Sequence, residues 1–265
     1  MRIAAVGDNC IDDYFGTGEA YPGGNPVNVS VYAVRLGLAA SYTGAVGSDQ
    51  NGRLLRRALA GKGVDVSHLH TLPGRTAVTR VELCKGERVF REYDEGVLAD
   101  FRLSDGDLDF LCGHDLVATG LWGRIEGELP RIKARGVPVA FDFADREQGP
   151  VLDAAAPYVD YAFFSRREDS GELRDFLRAF RQRGPKVVVA TLGEHGSLAW
   201  NGEAFIPCGA VRCPVVDTMG AGDSFIAGFL AGVLQKKPLA ACMEQGARSS
   251  SVTLQYRGAW SGPIL

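Results

Sequence analysis

The sequence predicts an α/β protein, with a parallel sheet covered by helices on both faces. Three observations carry that prediction. Short apolar runs alternate with stretches of helical periodicity along most of the chain. The 265 residues are 46% hydrophobic and 23% charged, enough to bury one sizeable core. A single segment, 76–93, breaks the rhythm with strand-like alternation at Val78, Arg80 and Glu82.

Taken in order, Ile3–Val6 reads as the first strand. Asn25-Pro26 then opens a helix, with Asn as N-cap and Pro in the first helical position; it runs through Tyr32 and Val34 and stops near Gly37. A strand follows around Tyr42–Val46, then a helix around Leu54–Ala60. Segment 76–93 reads as two strands about Lys85-Gly86. Charges on both strands favour an added flap over an edge hairpin of the main sheet. Further strands fall at Asp115–Ala118, Val137–Phe141, Tyr161–Phe164 and Lys186–Thr191, with the clearest helix between them at Glu168–Gln182. Phe225–Leu234, about half the length of a membrane span, reads as a buried helix. No repeat or domain-sized linker divides the chain.

The charge balance excludes some functions. With 29 basic and 32 acidic residues the net charge is −3, which offers neither a nucleic-acid footprint nor a polybasic membrane patch. Six scattered cysteines lack metal or redox spacing, and the start of the chain lacks a signal-peptide pattern. A reduced, cytoplasmic protein is the expectation. The four histidines form no ligand pattern; His68-x-His70 reads as surface polar residues. There is no GxxxxGK[ST] loop, HExxH or GxSxG.

Glycine is the compositional outlier, at 34 residues or about 13% against a usual ~7%. The strongest local signal is Val215-Val216-Asp217-Thr218-Met219-Gly220-Ala221-Gly222-Asp223-Ser224-Phe225. It reads as an apolar strand end passing through small residues into an apolar helix. Uncovered N–H groups and the helix dipole there suit a phosphate or a developing anion. Asp223 at that terminus reads equally as a cap and as a general base for a hydroxyl nucleophile. The second signal is Gly23-Gly24-Asn25-Pro26-Val27-Asn28-Val29-Ser30. There the glycines let a ligand approach the backbone, and the Asn28 amide suits hydroxyls that both donate and accept. The third is Asp8-Asn9-Cys10-Ile11-Asp12, after the first strand, where acids can accept hydroxyl hydrogens.

Together these stretches resemble the ribokinase-like, or phosphofructokinase-B, family of sugar kinases. Gly23-Gly24-x-Pro26-x-Asn28-x-Ser30, six residues, Gly37, nine residues and Gly47 match its N-terminal signature. Asp217 to Asp223, with Ala227-Gly228 beyond, matches its C-terminal one. The resemblance covers essentially the whole chain. It implies one kinase domain, 1–265, a three-layer α/β/α sandwich with a mostly parallel sheet. A small β lid comes mainly from about 76–93, with a contribution from about 10–22. It implies Asp223 as catalytic base and Gly220, Ala221 and Gly222 as anion hole. Asp8, Asp12, Gly24 and Asn28 would bind the sugar, and Thr191, Gly193, Gly196 and Asp217 the nucleotide. The implied cofactors are ATP and Mg2+, with Glu168 as the metal residue and a monovalent cation such as K+ near Asp217. Where the family often carries Asn-x-x-Glu, this chain has Ser165-Arg166-Arg167-Glu168. A homodimer through the lid would fit the same family.

Several stretches further resemble the fructoselysine 6-kinases within that family. Among them are Gly7–Cys10, Gly24–Val29, Gly63–His70, Asp94–Phe101 and Ala140–Phe143. That resemblance implies phosphorylation of an Amadori sugar–amine at its C6 hydroxyl. Glu92, Asp94, Glu95 or Asp8 would then receive the cationic amine. Trp122, beyond the Asp115–Ala118 strand, reads either as an apolar wall to the sugar or as a core residue. A kinase of another fructosyl-amino acid or ketose, and a sugar-binding protein without catalysis, are the competing readings.

Overall fold

In β1 (Arg2–Val6) Ile3 and Ala5 enter one apolar core, while Ala4 and Val6 enter another. Side chains two apart share a face, so a strand apolar at every position must be covered on both sides. The computed structural model that shows this describes residues 1–14, 18–84 and 87–260; of 83, 84 and 87–90 it describes only the backbone.

After β1 come β2 (Cys10–Tyr14), β3 (Glu19–Gly23), α1 (Asn25–Arg35), β4 (Ala39–Gly47), α2 (Gln50–Gly61) and β5 (Leu69–Leu72). Next are β6 (Val78–Cys84), β7 (Glu87–Asp94), α3 (Asp105–Cys112), β8 (Leu116–Gly120), α4 (Leu129–Ala134) and β9 (Val139–Asp142). Then follow α5 (Pro150–Ala155), β10 (Tyr161–Ser165), α6 (Gly171–Arg181), β11 (Val187–Thr191), β12 (Ser197–Trp200) and β13 (Phe205–Cys208). Helices α7 (Ala221–Leu234) and α8 (Leu239–Thr253) close the order.

The large sheet runs β13-β12-β11-β10-β9-β8-β1-β4-β5; every strand runs in one direction except β12, which pairs antiparallel with β11 and β13. Residues of α1, α2, α7 and α8 fill one core and residues of α3, α4, α5 and α6 the other. This is the expected three-layer sandwich. The chain leaves β1 toward β4 on one side and returns at β8 on the other, so a crevice opens at the carboxyl end of β1.

Helices α7 and α8 approach closely because both carry glycine at the contact. A side-chain carbon at Gly228 would lie 2.9 Å from the Gly246 Cα. Fully burying each large apolar residue of α7, such as Phe229 or Leu230, stabilises by about 1.5–3 kcal/mol.

Segment 78–94 is no edge of the large sheet. It belongs to a separate four-stranded sheet, β3-β2-β6-β7, in which β2 pairs antiparallel with β3 and parallel with β6. The charges on its strands form cross-strand pairs, Arg80–Glu92 and Arg91–Glu82. The turn expected at Lys85-Gly86 lies outside the described residues.

Three local expectations are corrected. Asn25 is not the N-cap of α1. Gly24 is, with φ +109° and no side-chain cap, which leaves the Asn25 amide for another use. Glu168 lies in a bend before α6 rather than in its first turn; Ser170 caps that helix by accepting from the Leu173 amide at 3.1 Å. Val215 and Val216 form no strand. The Val216 amide donates instead to the Leu254 carbonyl at the end of α8.

Candidate active site

The carboxyl ends of β1 and β9 and the starts of α1 and α7 converge on one pocket. Asp223, in the first turn of α7, receives the Asn25 Nδ2 on Oδ1 at 2.7 Å and the Asn28 Nδ2 on Oδ2 at 2.7 Å. Asn25 Nδ2 also donates to Asp142 Oδ2 at 2.8 Å, and the Ala144 amide donates to Asp142 Oδ1 at 2.9 Å. Trp260 Nε1 donates to Asn28 Oδ1 at 2.9 Å, which turns the Asn28 amino group toward Asp223. Sequence spacing did not reveal Asn25, Asp142 or Trp260 as members of this cluster. For Asp142 a signal existed: it is the lone charge directly at the end of an apolar strand. Trp260 left none.

Asp8 completes the acidic set from the end of β1. Its Oδ1 is buried without a hydrogen-bond partner among the described residues. Asn9 holds this turn through its amino group, which donates to Tyr42 Oη at 2.9 Å and the Ala45 carbonyl at 2.7 Å. Burial pushes the carboxyls of Asp8 and Asp142 up to about 7, and the charge of Asp223 adds to the rise. Burial likewise pushes Asp223 up to about 6, against the hydrogen bonds from Asn28 and Asn25. A carboxylate that ionises near neutrality, with both oxygens aimed by amides, suits proton abstraction from a hydroxyl.

The start of α7 gives the anion its place. Gly220 is the N-cap in the left-handed region, φ +73°, where a side chain would strike the Tyr32 hydroxyl. The Ala221 amide donates to the Thr218 carbonyl, while those of Gly222 and Asp223 fall in the turn where a helix has no carbonyl to offer them. Nothing lies within 4 Å of a side chain built at Gly222, so the approach is open. Asp217 shapes the turn: its oxygens accept the Met219 and Gly258 amides, each at 2.8 Å.

Other expected residues lie around this centre. Asp12 is buried on β2, on the face of the small sheet shared with Cys10 and Thr79, and fills the space beside Gly23. Gly24 packs on the Asp8–Asn9 backbone, so a side chain at either of these two glycines would strike the chain's own neighbours. Thr191, Gly193 and Gly196 form the tight turn at the end of β11, with φ +57° and +91° at the glycines. The Thr191 hydroxyl donates to the Phe164 carbonyl at 3.3 Å, inside the sheet. Glu168 is exposed one strand away, beyond β10.

Trp122 is 49% exposed at the carboxyl edge, which removes the core reading. Glu92 pairs with Arg80, the Gly96 amide donates to Asp94 Oδ1 at 3.0 Å, and Glu95 pairs with Arg124 at 2.6 Å. His68 and His70 are more than surface residues. His68 Nδ1 and His70 Nε2 lie 2.8 and 2.9 Å from one buried oxygen of Asp107, fastening the β5 region to α3.

A sandwich of this topology, with a half-buried carboxylate at an open, glycine-led helix start, defines a sugar kinase of the ribokinase-like class. The chain belongs to the pfkB family of carbohydrate kinases, whose profile matches residues 4–264. It is 44% identical over 258 residues to a fructoselysine 6-kinase of Shigella flexneri and equally to one of Escherichia coli K12. Each alignment covers 97% of this chain and 99% of the relative. A fructosamine kinase of Bacillus subtilis is 36% identical, over 98% of this chain and 93% of its own. Among solved structures, Arabidopsis thaliana ribokinase complexed with ribose and ATP superposes with a TM-score of 0.89 at 22% identity. That match covers 97% of this chain and 93% of the ribokinase, and it fixes the fold.

Proposed function

We propose that this kinase transfers the γ-phosphoryl group of ATP to the C6 hydroxyl of fructoselysine, giving fructoselysine 6-phosphate and ADP. The observation that carries the reading is the Asp223 carboxylate, held by Asn25 and Asn28 beside the open start of α7. The 44% identity to two fructoselysine 6-kinases supports the substrate. Asp223 takes the C6 hydroxyl proton, the hydroxyl oxygen bonds to the γ-phosphorus, and the bond to the β-γ bridging oxygen breaks. The Gly222 and Asp223 amides receive the charge on the transferred group. An anion-hole donor of this kind is worth about 3 kcal/mol of barrier.

Asp8, Asp12 and Asn28 hold the sugar hydroxyls, and the turn from Thr191 to Gly196 receives the nucleotide. Glu168, exposed and in no ion pair among the described residues, suits the hydrated Mg2+ that travels with ATP and neutralises phosphate charge. The small sheet serves as the lid, excluding water as a competing acceptor. One face of it borders a 490 Å³ cavity lined by Ile11, Asp13, Val78, Arg80 and Glu92 together with Asn51 of α2 and Arg75, a surface on which a second copy would dock. We assign the protein to the cytoplasm, in keeping with the free thiols of Cys10, Cys112, Cys208, Cys213 and Cys242.

Coupled ADP release with magnesium-ATP tests the reading against fructoselysine, other fructosyl-amino acids, fructose, ribose and adenosine. A rate with fructoselysine far above the others supports it. Comparable rates across several fructosyl-amino acids or ketoses would replace the substrate and keep the kinase. Sugar binding without turnover would refute catalysis. Exchanging K+ for Na+ in the same assay tests for a monovalent ion beside Asp217.

A further inference from the structure

We propose that Glu95, Arg124 and Trp122 form a subsite for the zwitterionic end of the amino acid carried by the sugar. This rests on the assignment of fructoselysine as substrate.

The three residues sit where the two sheets meet. Glu95 follows β7 of the small sheet directly, and Trp122 and Arg124 follow β8 of the large one. Their ion pair, Arg124 to Glu95 Oε1 at 2.6 Å, therefore spans from the base of the lid to the carboxyl edge of the large sheet. The pair is contiguous with the sugar pocket. Gly123 packs against Gly7, the residue before Asp8. Tyr93, two residues before Glu95, feels the charges of Asp8, Glu95 and Arg124 together. Glu92 pairs with Arg80 within the small sheet, and Asp94 accepts the Gly96 amide.

The chemistry of the ligand matches this arrangement in three respects. Fructoselysine joins its sugar through the lysine side-chain nitrogen, so an α-ammonium and an α-carboxylate remain together at the far end. A guanidinium and a carboxylate in contact present the complementary pair of charges. The two protein side chains are 50% and 32% exposed, so either can exchange its partner for a ligand group at little desolvation cost. Between this pair and the sugar runs an apolar methylene chain, and Trp122, 49% exposed two residues before Arg124, and Tyr93, 38% exposed two residues before Glu95, offer it apolar surface. Arg124 adopts φ +53°, a left-handed conformation that non-glycine residues rarely adopt, and from it the side chain reaches Glu95. A ligand with one charge, or none, leaves one or both partners of the pair to each other and gains nothing.

The test is a cycle between ligand and protein. Initial rates are measured by coupled ADP release for fructoselysine, its decarboxylated analogue, its Nα-acetyl analogue and 1-deoxy-1-butylamino-fructose. Parent enzyme, Arg124→Gln, Glu95→Gln and Trp122→Ala are compared, with melting temperatures to confirm folding. We expect kcat/KM of the parent to fall about fivefold when the carboxylate is removed. Arg124→Gln should lose about the same factor on fructoselysine and nothing further on the decarboxylated analogue. Glu95→Gln should behave likewise toward the Nα-acetyl compound, and Trp122→Ala should raise KM for all four. Equal turnover of all four by the parent, or equal losses on all four in Arg124→Gln and Glu95→Gln, would overturn the subsite while leaving the fructosamine kinase intact. Silence on all four, with activity on a plain ketose, would overturn the substrate assignment and the subsite with it.

Discussion

Asp142→Asn changes the pH dependence of stability in a way the site geometry fixes in sign and size. Asp142 is half-buried beside Asp223; one amide nitrogen, Asn25 Nδ2, reaches an oxygen of each at 2.8 and 2.7 Å. Burial and the Asp223 charge raise its carboxyl to about 7, against about 3.9 in an unfolded chain. Between those values the folded state keeps a proton that the unfolded state has released. Stability from this group is therefore present at low pH and is lost as pH rises through the window. The slope for one such group approaches 1.4 kcal/mol per pH unit, and falls to about 1 near pH 6.5 as the folded carboxyl itself begins to ionise. Asp142→Asn removes that slope. It also leaves one of the two donors, Asn25 or the Ala144 amide, without an oxygen, an offset that does not depend on pH. Urea unfolding of the ligand-free protein at pH 5, 5.5, 6 and 6.5 separates the two effects. We expect the variant to lose about 1 kcal/mol less per pH unit than the parent. Parallel lines for the two proteins would refute the raised carboxyl and the electrostatic account of the pocket.

Asp223→Asn should lower kcat by at least about a hundredfold in the coupled assay, with the sugar KM little changed, because it removes the base and leaves the sugar contacts; a kcat within tenfold of the parent would sink that role. In the parent, Asp223 acts only when ionised, so kcat/KM should fall as pH drops through about 6, and a rate flat to pH 5 would contradict it. Burial of Asp107 is outweighed by hydrogen bonds from Ser104, His68 and His70, which hold its carboxyl well below the usual range. Its stabilisation is therefore present above about pH 4 and lost as pH falls further, and Asp107→Asn should flatten acid unfolding monitored by circular dichroism between pH 4 and 2. Gly228→Val drives a side chain into the Gln245–Gly246 backbone and should destabilise by about 1–3 kcal/mol in urea, with an unchanged midpoint as the contrary result.

The sandwich was legible because its evidence is local. Each buried strand carries its own apolar run, and the order of runs and helices already implies right-handed crossovers between parallel strands. Boundaries were less legible where polar contacts decide them. The first turn of α6 depends on Ser170, not on the apolar period that drew the helix back to Glu168. Val215-Val216 shows the opposite failure: two β-branched residues with strand propensity pair with no strand, and the Leu254 carbonyl just past α8 receives the Val216 amide. The small sheet was seen as a flap from 76–93. Its parallel β2–β6 pair joins segments more than sixty residues apart, which no local pattern records.

The site divides along the same line. Asp223 and the glycines before it were readable, since one turn contains both the carboxylate and the amides that make it useful. Asn25 was misread because Asn before Pro at a helix start is the ordinary sign of an N-cap. The structure gives that task to Gly24, whose φ of +109° needs no side-chain cap, and so frees the Asn25 amide to join Asp142 to Asp223. That bridge ties residues 25, 142 and 223 into one electrostatic unit. Its consequence is that changing Asn25 moves the ionisation of Asp223, and changing Asp223 moves that of Asp142. The spacing of acids along the chain says nothing of this; it follows only from β1 lying between β4 and β8, which brings the ends of β1 and β9 to the start of α7.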